Sequence, residues 1–225
     1  MFLSDLQTNI TKKLFDSGIE TSSLDSRIIL KEIFCFDEKE LILNSKLIVP
    51  NNKINEVDEV LSRRLRGEPV SKIFGKREFY KSTFFISEDV LDPRPETELI
   101  VEIANNFILD RGYKNFIDLG TGSGCIILSI LKDNKNLSAL GIDISFKAIN
   151  IAQKNSMNLN LEKQATFIVS NWLSPISDFY DLIISNPPYI PSKDIDTLAN
   201  NVKNYDPLLS LDGGDDGLKC YGEIA

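Results

Sequence analysis

Asp118-Leu119-Gly120-Thr121-Gly122-Ser123-Gly124 joins Phe116-Ile117-Asp118-Leu119, which reads as a strand, to Cys125–Lys132, which reads as a helix. Glycines in such a turn let the backbone fold sharply and approach a ligand, with the helix's first amides pointing outward. Gly-x-Gly-x-Gly suits a loop set against a nucleoside that carries an amino acid. The dinucleotide fingerprint wants a third glycine three residues past the second, and that position is Cys125. On the loop alone, a methyl-donor nucleoside, a dinucleotide and a plain structural turn all stay open.

Outward from the loop, strands and helices alternate. Leu137–Ile142 reads as a strand, Ser145–Met157 as a helix, and Ala165–Val169 and Asp181–Ser185 as strands. Strands separated by helices predict an α/β fold with a parallel sheet wound on both faces. Only four strands can be counted, and residue 225 falls where a helix begins, so further sequence is expected beyond the C-terminus. Asp143, in Gly141-Ile142-Asp143, stands at a strand end where a carboxylate can accept from two ribose hydroxyls. That favours a nucleoside site without choosing the nucleoside.

Upstream the character differs. Leu6, Ile10 and Leu14 form one helical stripe; Ile28, Ile29, Ile33 and Phe34 form a second, and Val57, Val60, Leu61 and Leu65 a third. Breaks at Ser17-Gly18, Asn44-Ser45 and Pro50-Asn51-Asn52, the last also offering N-caps, predict a small all-α bundle. Glu78–Ile86 is aromatic and β-branched around a polar centre, the pattern of a hairpin, and Pro93 and Pro95 then interrupt regular structure. Thr97–Ile108 is again apolar at helical spacing. The expected division is a helical domain over 1–74, a hairpin linker over 75–95, and an α/β domain over 96–225.

Composition narrows the chemistry. A net charge of −8 argues against a general duplex-DNA binder, which needs a basic face. No apolar run is long enough to span a bilayer, and Met1–Asp5 does not open a secretory signal. There is no histidine, which removes Ser-His-Asp and Cys-His catalysis and most zinc chemistry. Cys35, Cys125 and Cys220 match no zinc spacing and are expected to be buried free thiols in a reducing compartment; no metal is expected. Arg63, Arg64 and Arg66 read as a solvated helix face, with contact to an acidic partner or rRNA as the lesser alternative.

Asn186-Pro187-Pro188-Tyr189 follows the last strand, at the carboxyl end of the sheet where ligands bind in open α/β folds. An amide nitrogen is a poor nucleophile because its lone pair is delocalised. Acceptors that hold its two N–H groups aim that lone pair at an electrophilic methyl. The Asn186 side-chain carbonyl and a backbone carbonyl freed by the prolines supply such acceptors, and Tyr189 offers a stacking face. This motif selects methyl transfer to a planar nitrogen, an amide or an adenine amine alike.

The chain resembles the protein-glutamine methyltransferases that modify the Gly-Gly-Gln loop of peptide-chain release factors. The resemblance covers nearly the whole chain. It rests on Gly67-Glu68-Pro69-Val70, Gly75, Phe79, Phe84, Val90-Leu91-Asp92-Pro93-Arg94-Pro95-Glu96-Thr97-Glu98, the glycine loop and Asn186–Tyr189. It extends to Tyr205-Asp206-Pro207 and Asp212-Gly213-Gly214-Asp215-Asp216-Gly217-Leu218. It implies a Rossmann-like class I methyltransferase fold and S-adenosyl-L-methionine as cofactor. The implied setting is a cytoplasmic monomer whose partner is a release factor, without stable nucleic-acid or membrane binding.

By position, the resemblance implies that Gly120, Thr121, Gly122, Ser123, Gly124, Asp143 and Trp172 hold the cofactor, with Asn186 beside it. Asn186, Pro187, Pro188 and Tyr189 would hold the substrate glutamine, with Asn186, Pro187 and Tyr189 catalytic, while the helical domain would grip the release factor. Asn171 stands where relatives often carry an aspartate, and Asp92 where an apolar residue is usual. Two rivals remain: an adenine-amino methyltransferase acting on nucleic acid, and a catalytically silent binding module.

Overall fold

The computed structural model describes every residue except 175 and 177. The chain divides into two compact units, Met1–Phe74 and Gly75–Ala225.

The first unit is helical: α1 (Leu3–Asp16), α2 (Ser22–Phe34), α3 (Glu38–Leu43), α4 (Asn51–Leu65) and α5 (Val70–Phe74). The three apolar stripes meet in one core, where Leu6, Ile10, Leu14, Ile29, Ile33, Val57 and Leu61 are buried, but Leu65 of the third stripe is exposed and stays outside it. Local chemistry sets the helix ends. Asp37 Oδ1 accepts from the Glu40 N–H at 2.7 Å while Glu40 Oε2 accepts from the Asp37 N–H at 2.8 Å, a reciprocal capping box opening α3. At α4 the cap is Pro50, which offers no side-chain acceptor, so the neighbouring asparagines do not serve as N-caps.

Two further expectations are corrected in this unit. Arg64 is buried, and its Nε donates to Asp25 Oδ2 at 2.7 Å; Arg63 pairs with Glu68. A guanidinium enters a core when a carboxylate and further acceptors meet it there, and the Thr21 hydroxyl completes the Asp25 side at 3.0 Å. Only Arg66 of the three is an exposed arginine of the expected kind. Cys35 is exposed, because it ends α2 in the left-handed conformation, at φ +55°, and so leaves the apolar stripe. Cys125 and Cys220 are buried free thiols.

The second unit opens with β1 (Lys76–Phe79) and β2 (Ser82–Phe85), an antiparallel hairpin turning at Tyr80-Lys81. Next come α6 (Glu98–Arg111), β3 (Asn115–Leu119), α7 (Cys125–Asp133), β4 (Ser138–Asp143), α8 (Phe146–Asn158), β5 (Ala165–Val169) and β6 (Leu182–Ser185). The short α9 (Asn200–Lys203) and α10 (Lys219–Ile224) complete it. The four described strands of the central sheet run parallel in the order β5-β4-β3-β6. Order reverses between β3→β4 and β3→β6, so a crevice opens at the carboxyl ends of β3, β4 and β6.

The sheet is not covered alike on its two faces. Phe116, Ala139, Ala165 and Ile184 face a core shared with α6, α7 and the hairpin's Phe79 and Phe84, and α8 adjoins α7 and β5. Ile117, Leu119, Leu140 and Ile142 face the other way, toward Ile168, Trp172, Leu173, Tyr180 and Ile224 of α10. Helices on both faces were expected. Among the described residues the β5–β6 connection carries none, so the second face is met by irregular chain and one short helix, and Ile183 stays half-exposed.

Candidate active site

The glycine loop is built from the ends of β3 and β4. Two successive amides, of Gly120 and Thr121, donate to the single Ile142 carbonyl at 2.8 Å each, which fixes the turn to its neighbour strand. The Thr121 hydroxyl donates to Asp118 Oδ2 at 2.7 Å. Asn155 of α8, fully buried, holds the loop from behind: its Nδ2 donates to the Ser123 carbonyl at 2.8 Å and to the Phe85 carbonyl at 2.9 Å, and its Oδ1 accepts from the Phe85 N–H at 2.7 Å.

Asp143 ends β4 facing the loop. One oxygen accepts from the Gly122 N–H and the other from the Ser145 N–H, both at 2.9 Å. Burial raises its pKa, while those amides and that of Ile144 act to lower it. Asp118 lies deeper; burial pushes it up to about 7, with the Thr121 hydroxyl opposing and the Asp143 charge adding.

A cavity of about 450 Å³ opens in front of the loop. Its wall includes Gly120, Gly122, Asp143, Asn171, Trp172, Asn186, Pro188 and Glu223. Trp172 holds φ +48°, and its indole N–H donates to Glu223 Oε2 at 2.6 Å. A Cβ on Gly120 would sit 3.7 Å from the indole ring, and one on Gly122 would project into open space. The volume lies within the roughly 300–1,000 Å³ of small-molecule sites. A glycine loop that a ligand can approach closely, carboxylates that include Asp143 and Glu223, and an indole are the open backbone, acceptors and flat wall that an adenosine bearing an amino acid requires.

A second cavity, of about 420 Å³, lies on the far side of Asn186, lined by Arg94, Glu96, Thr97, Pro187, Tyr189 and Val202 among others. Asn186, with Leu91 and Ser210, lines both. The Asn186 loop follows β6 directly, and the Ser185 hydroxyl donates to the Leu119 carbonyl at 2.8 Å, tying it to the start of the glycine loop. Asn186 Nδ2 donates to Thr97 Oγ1 at 3.4 Å.

Comparison with known proteins agrees with this geometry. The model of the methyltransferase small domain matches residues 81–204, and that of the PrmC N-terminal domain matches residues 5–75. A release factor glutamine methyltransferase of Caulobacter vibrioides is 38% identical over 214 residues, covering 95% of this chain and 74% of the relative. The chain belongs to the release factor glutamine methyltransferase family. The relative of the same name from Agrobacterium fabrum is 35% identical, again over 95% of this chain and 75% of that one. The catalytic domain of hMettl16, solved in complex with the MAT2A 3'UTR hairpin 6, shares the fold at a TM-score of 0.52 and 18% identity, over 74% of this chain and 61% of that one.

In this methyltransferase the residues singled out by sequence gather around the two cavities. Gly120, Gly122, Asp143, Trp172, Asn186 and Pro188 line the first; Asn186, Pro187 and Tyr189 line the second. Thr121, Ser123 and Gly124 are buried behind the loop and shape it. Sequence reasoning missed the buttress of the Asn186 loop. Ile190 pairs with the 211–214 segment, and a Cβ on Gly217 would lie 2.4 Å from the Tyr189 carbonyl oxygen.

It also missed a buried clamp. Asp206 Oδ2 accepts from Arg94 Nη2 at 2.6 Å and its Oδ1 from the Asp92 N–H at 3.0 Å, while Arg77 lies 3.6 Å from the buried Asp92 carboxylate. Asp92 is thus accommodated by a cation. The acidic and basic residues of the runs at 90–98 and 205–207 were the available signal.

Proposed function

We propose that this methyltransferase moves a methyl group from S-adenosyl-L-methionine to the side-chain amide nitrogen of the glutamine in the Gly-Gly-Gln motif of peptide-chain release factors. The observation that carries the reading is the position of Asn186 in the common wall of the two cavities. The cavity before the glycine loop suits the donor, with Asp143 on its ribose hydroxyls, Gly120–Gly124 against its amino-acid end and Trp172 beside its adenine. The cavity beyond Asn186 suits the substrate side chain, with Pro187 and Tyr189 packing on the flat amide.

The cofactor supplies an electrophilic methyl on a sulfonium. The chain's own contribution is orientation. Asn186 Oδ1 and a carbonyl of the proline pair accept from the two amide protons of the substrate, so the nitrogen lone pair faces the methyl. The new C–N bond forms as the C–S bond breaks, the sulfur keeps that electron pair, and the surplus nitrogen proton leaves to water. The absence of histidine is compatible with a site that positions groups without needing a strong base.

Incubation of the protein with a release factor and S-adenosyl-L-methionine should add one methyl mass to the Gly-Gly-Gln peptide, read by mass spectrometry. Asn186→Ala should remove most of that transfer while leaving donor affinity nearly intact. Transfer to DNA or RNA offered in parallel, with none to the release factor, would overturn the assignment.

A further inference from the structure

Thr97 closes a 3-10 turn, Pro95–Thr97, that runs directly into α6; at φ −69° and ψ −18° it is already helical, so its hydroxyl makes no capping hydrogen bond. The hydroxyl accepts from Asn186 Nδ2 at 3.4 Å, and the residue is buried, only 8% exposed. An amide has two ends. Holding the NH₂ end on Thr97 leaves the carbonyl end as the acceptor, and among the described residues no donor is bonded to Asn186 Oδ1.

Thr97 is itself fixed. Asp206 grips the Asp92 amide and the Arg94 guanidinium, on either side of Pro93, and Pro95 follows. The Thr97 N–H donates to the Arg94 carbonyl at 3.0 Å, and the Glu98 carboxylate accepts from the Tyr80 N–H at 2.8 Å. The segment carrying the hydroxyl therefore has little slack.

We infer that Thr97 is a positioning residue for methyl transfer, selecting the amide orientation of Asn186 in which its carbonyl faces the acceptor substrate. The inference rests on the reading of Asn186 proposed above, but its core, the orientation of one side chain, can be measured without any substrate. Thr97→Val keeps the shape and the β-branch and removes only the hydroxyl; Thr97→Ser restores it.

In asparagine-labelled protein, the Asn186 side-chain amide resonance, assigned by its loss in Asn186→Ala, should shift and exchange faster in Thr97→Val and return toward its native position in Thr97→Ser. With release factor as substrate, kcat of Thr97→Val should fall about tenfold, with donor Kd within twofold and Tm nearly unchanged because no cap bond is lost; Thr97→Ser should recover most of the rate. An Asn186 resonance indifferent to Thr97→Val overturns the inference, and so does a parallel loss of donor affinity and Tm. Failure of the wild-type protein to methylate release factor would instead overturn the proposed function, leaving the resonance measurement to decide the role of Thr97.

Discussion

Gly217 offers a steric test of how the Asn186 loop is held. Its φ is +80°, where an alanine costs roughly 1–2 kcal/mol. The added Cβ would lie 2.4 Å from the Tyr189 oxygen and 3.2 Å from the Tyr189 carbonyl carbon. A comfortable C···O approach needs ~3.3 Å, so backbone must move by about 0.9 Å. Neither partner is the tip of a flexible side chain, and the displacement falls three residues from Asn186. Misplacing a catalytic geometry by about 1 Å costs on the order of 10²-fold.

Gly217→Ala is therefore expected to lower kcat for methyl transfer to release factor about 10²-fold, with donor affinity by calorimetry changed less than threefold. Gly222→Ala, in α10 with nothing within 4 Å of the new methyl, serves as the control and should keep wild-type kinetics. If Gly217→Ala retains wild-type turnover, or if donor binding collapses along with it, the buttress argument is wrong.

Asp143→Ala should weaken the donor first, by about 2–3 kcal/mol for the lost charge-assisted bonds, seen as a raised Kd in calorimetry with kcat at saturating donor much less affected. Asp118 gives a pH signature: its carboxyl, ordinarily near 3.8, sits at about 7 in the folded protein, so the native state holds a proton that the unfolded chain releases. The stability it contributes is full below pH ~4 and lost as pH rises through ~7, up to about 4 kcal/mol at ~1.4 per pH unit. Denaturant midpoints across that window should fall in the wild type and flatten in Asp118→Asn. In the helical unit, Arg64→Ala strands the buried Asp25 carboxylate and should cost about 3 kcal/mol, measured by chemical denaturation; an effect below 1 kcal/mol would mean that water reaches the pair.

Much of this molecule can be read along the chain because it is written locally. The glycine loop, the four strands and the three apolar stripes each follow from residues within one element, and, apart from the exposed Leu65, each appears in the structure where the sequence pattern predicts. What escapes a linear reading depends on partners far away. The Arg63-Arg64-Arg66 run looks uniformly solvated until Asp25, 39 residues upstream, takes Arg64 into the core. Thr97 reads only as the first residue of an apolar helix, while the partner of its hydroxyl, Asn186, lies 89 residues on. Asp92 looks misplaced until Arg77 and Asp206 flank it. Cys35 is judged buried by residue type, but its left-handed φ turns it outward. The uneven covering of the sheet is likewise invisible in the strand–helix alternation, since the β5–β6 connection carries no helical periodicity to show what meets that face.

The distance along the chain between the clamp's two halves also sets an order of events. Arg94 and Asp206 are 112 residues apart, and Tyr189 is shaped by a glycine 28 positions later still on the ribosome's schedule. Closing loops of this length carries an entropic cost that short-range helices do not face. A nascent polypeptide emerging from the exit tunnel can thus fold its helical unit and glycine turn early, yet it has no finished acceptor pocket until residue 217 has been translated and docked.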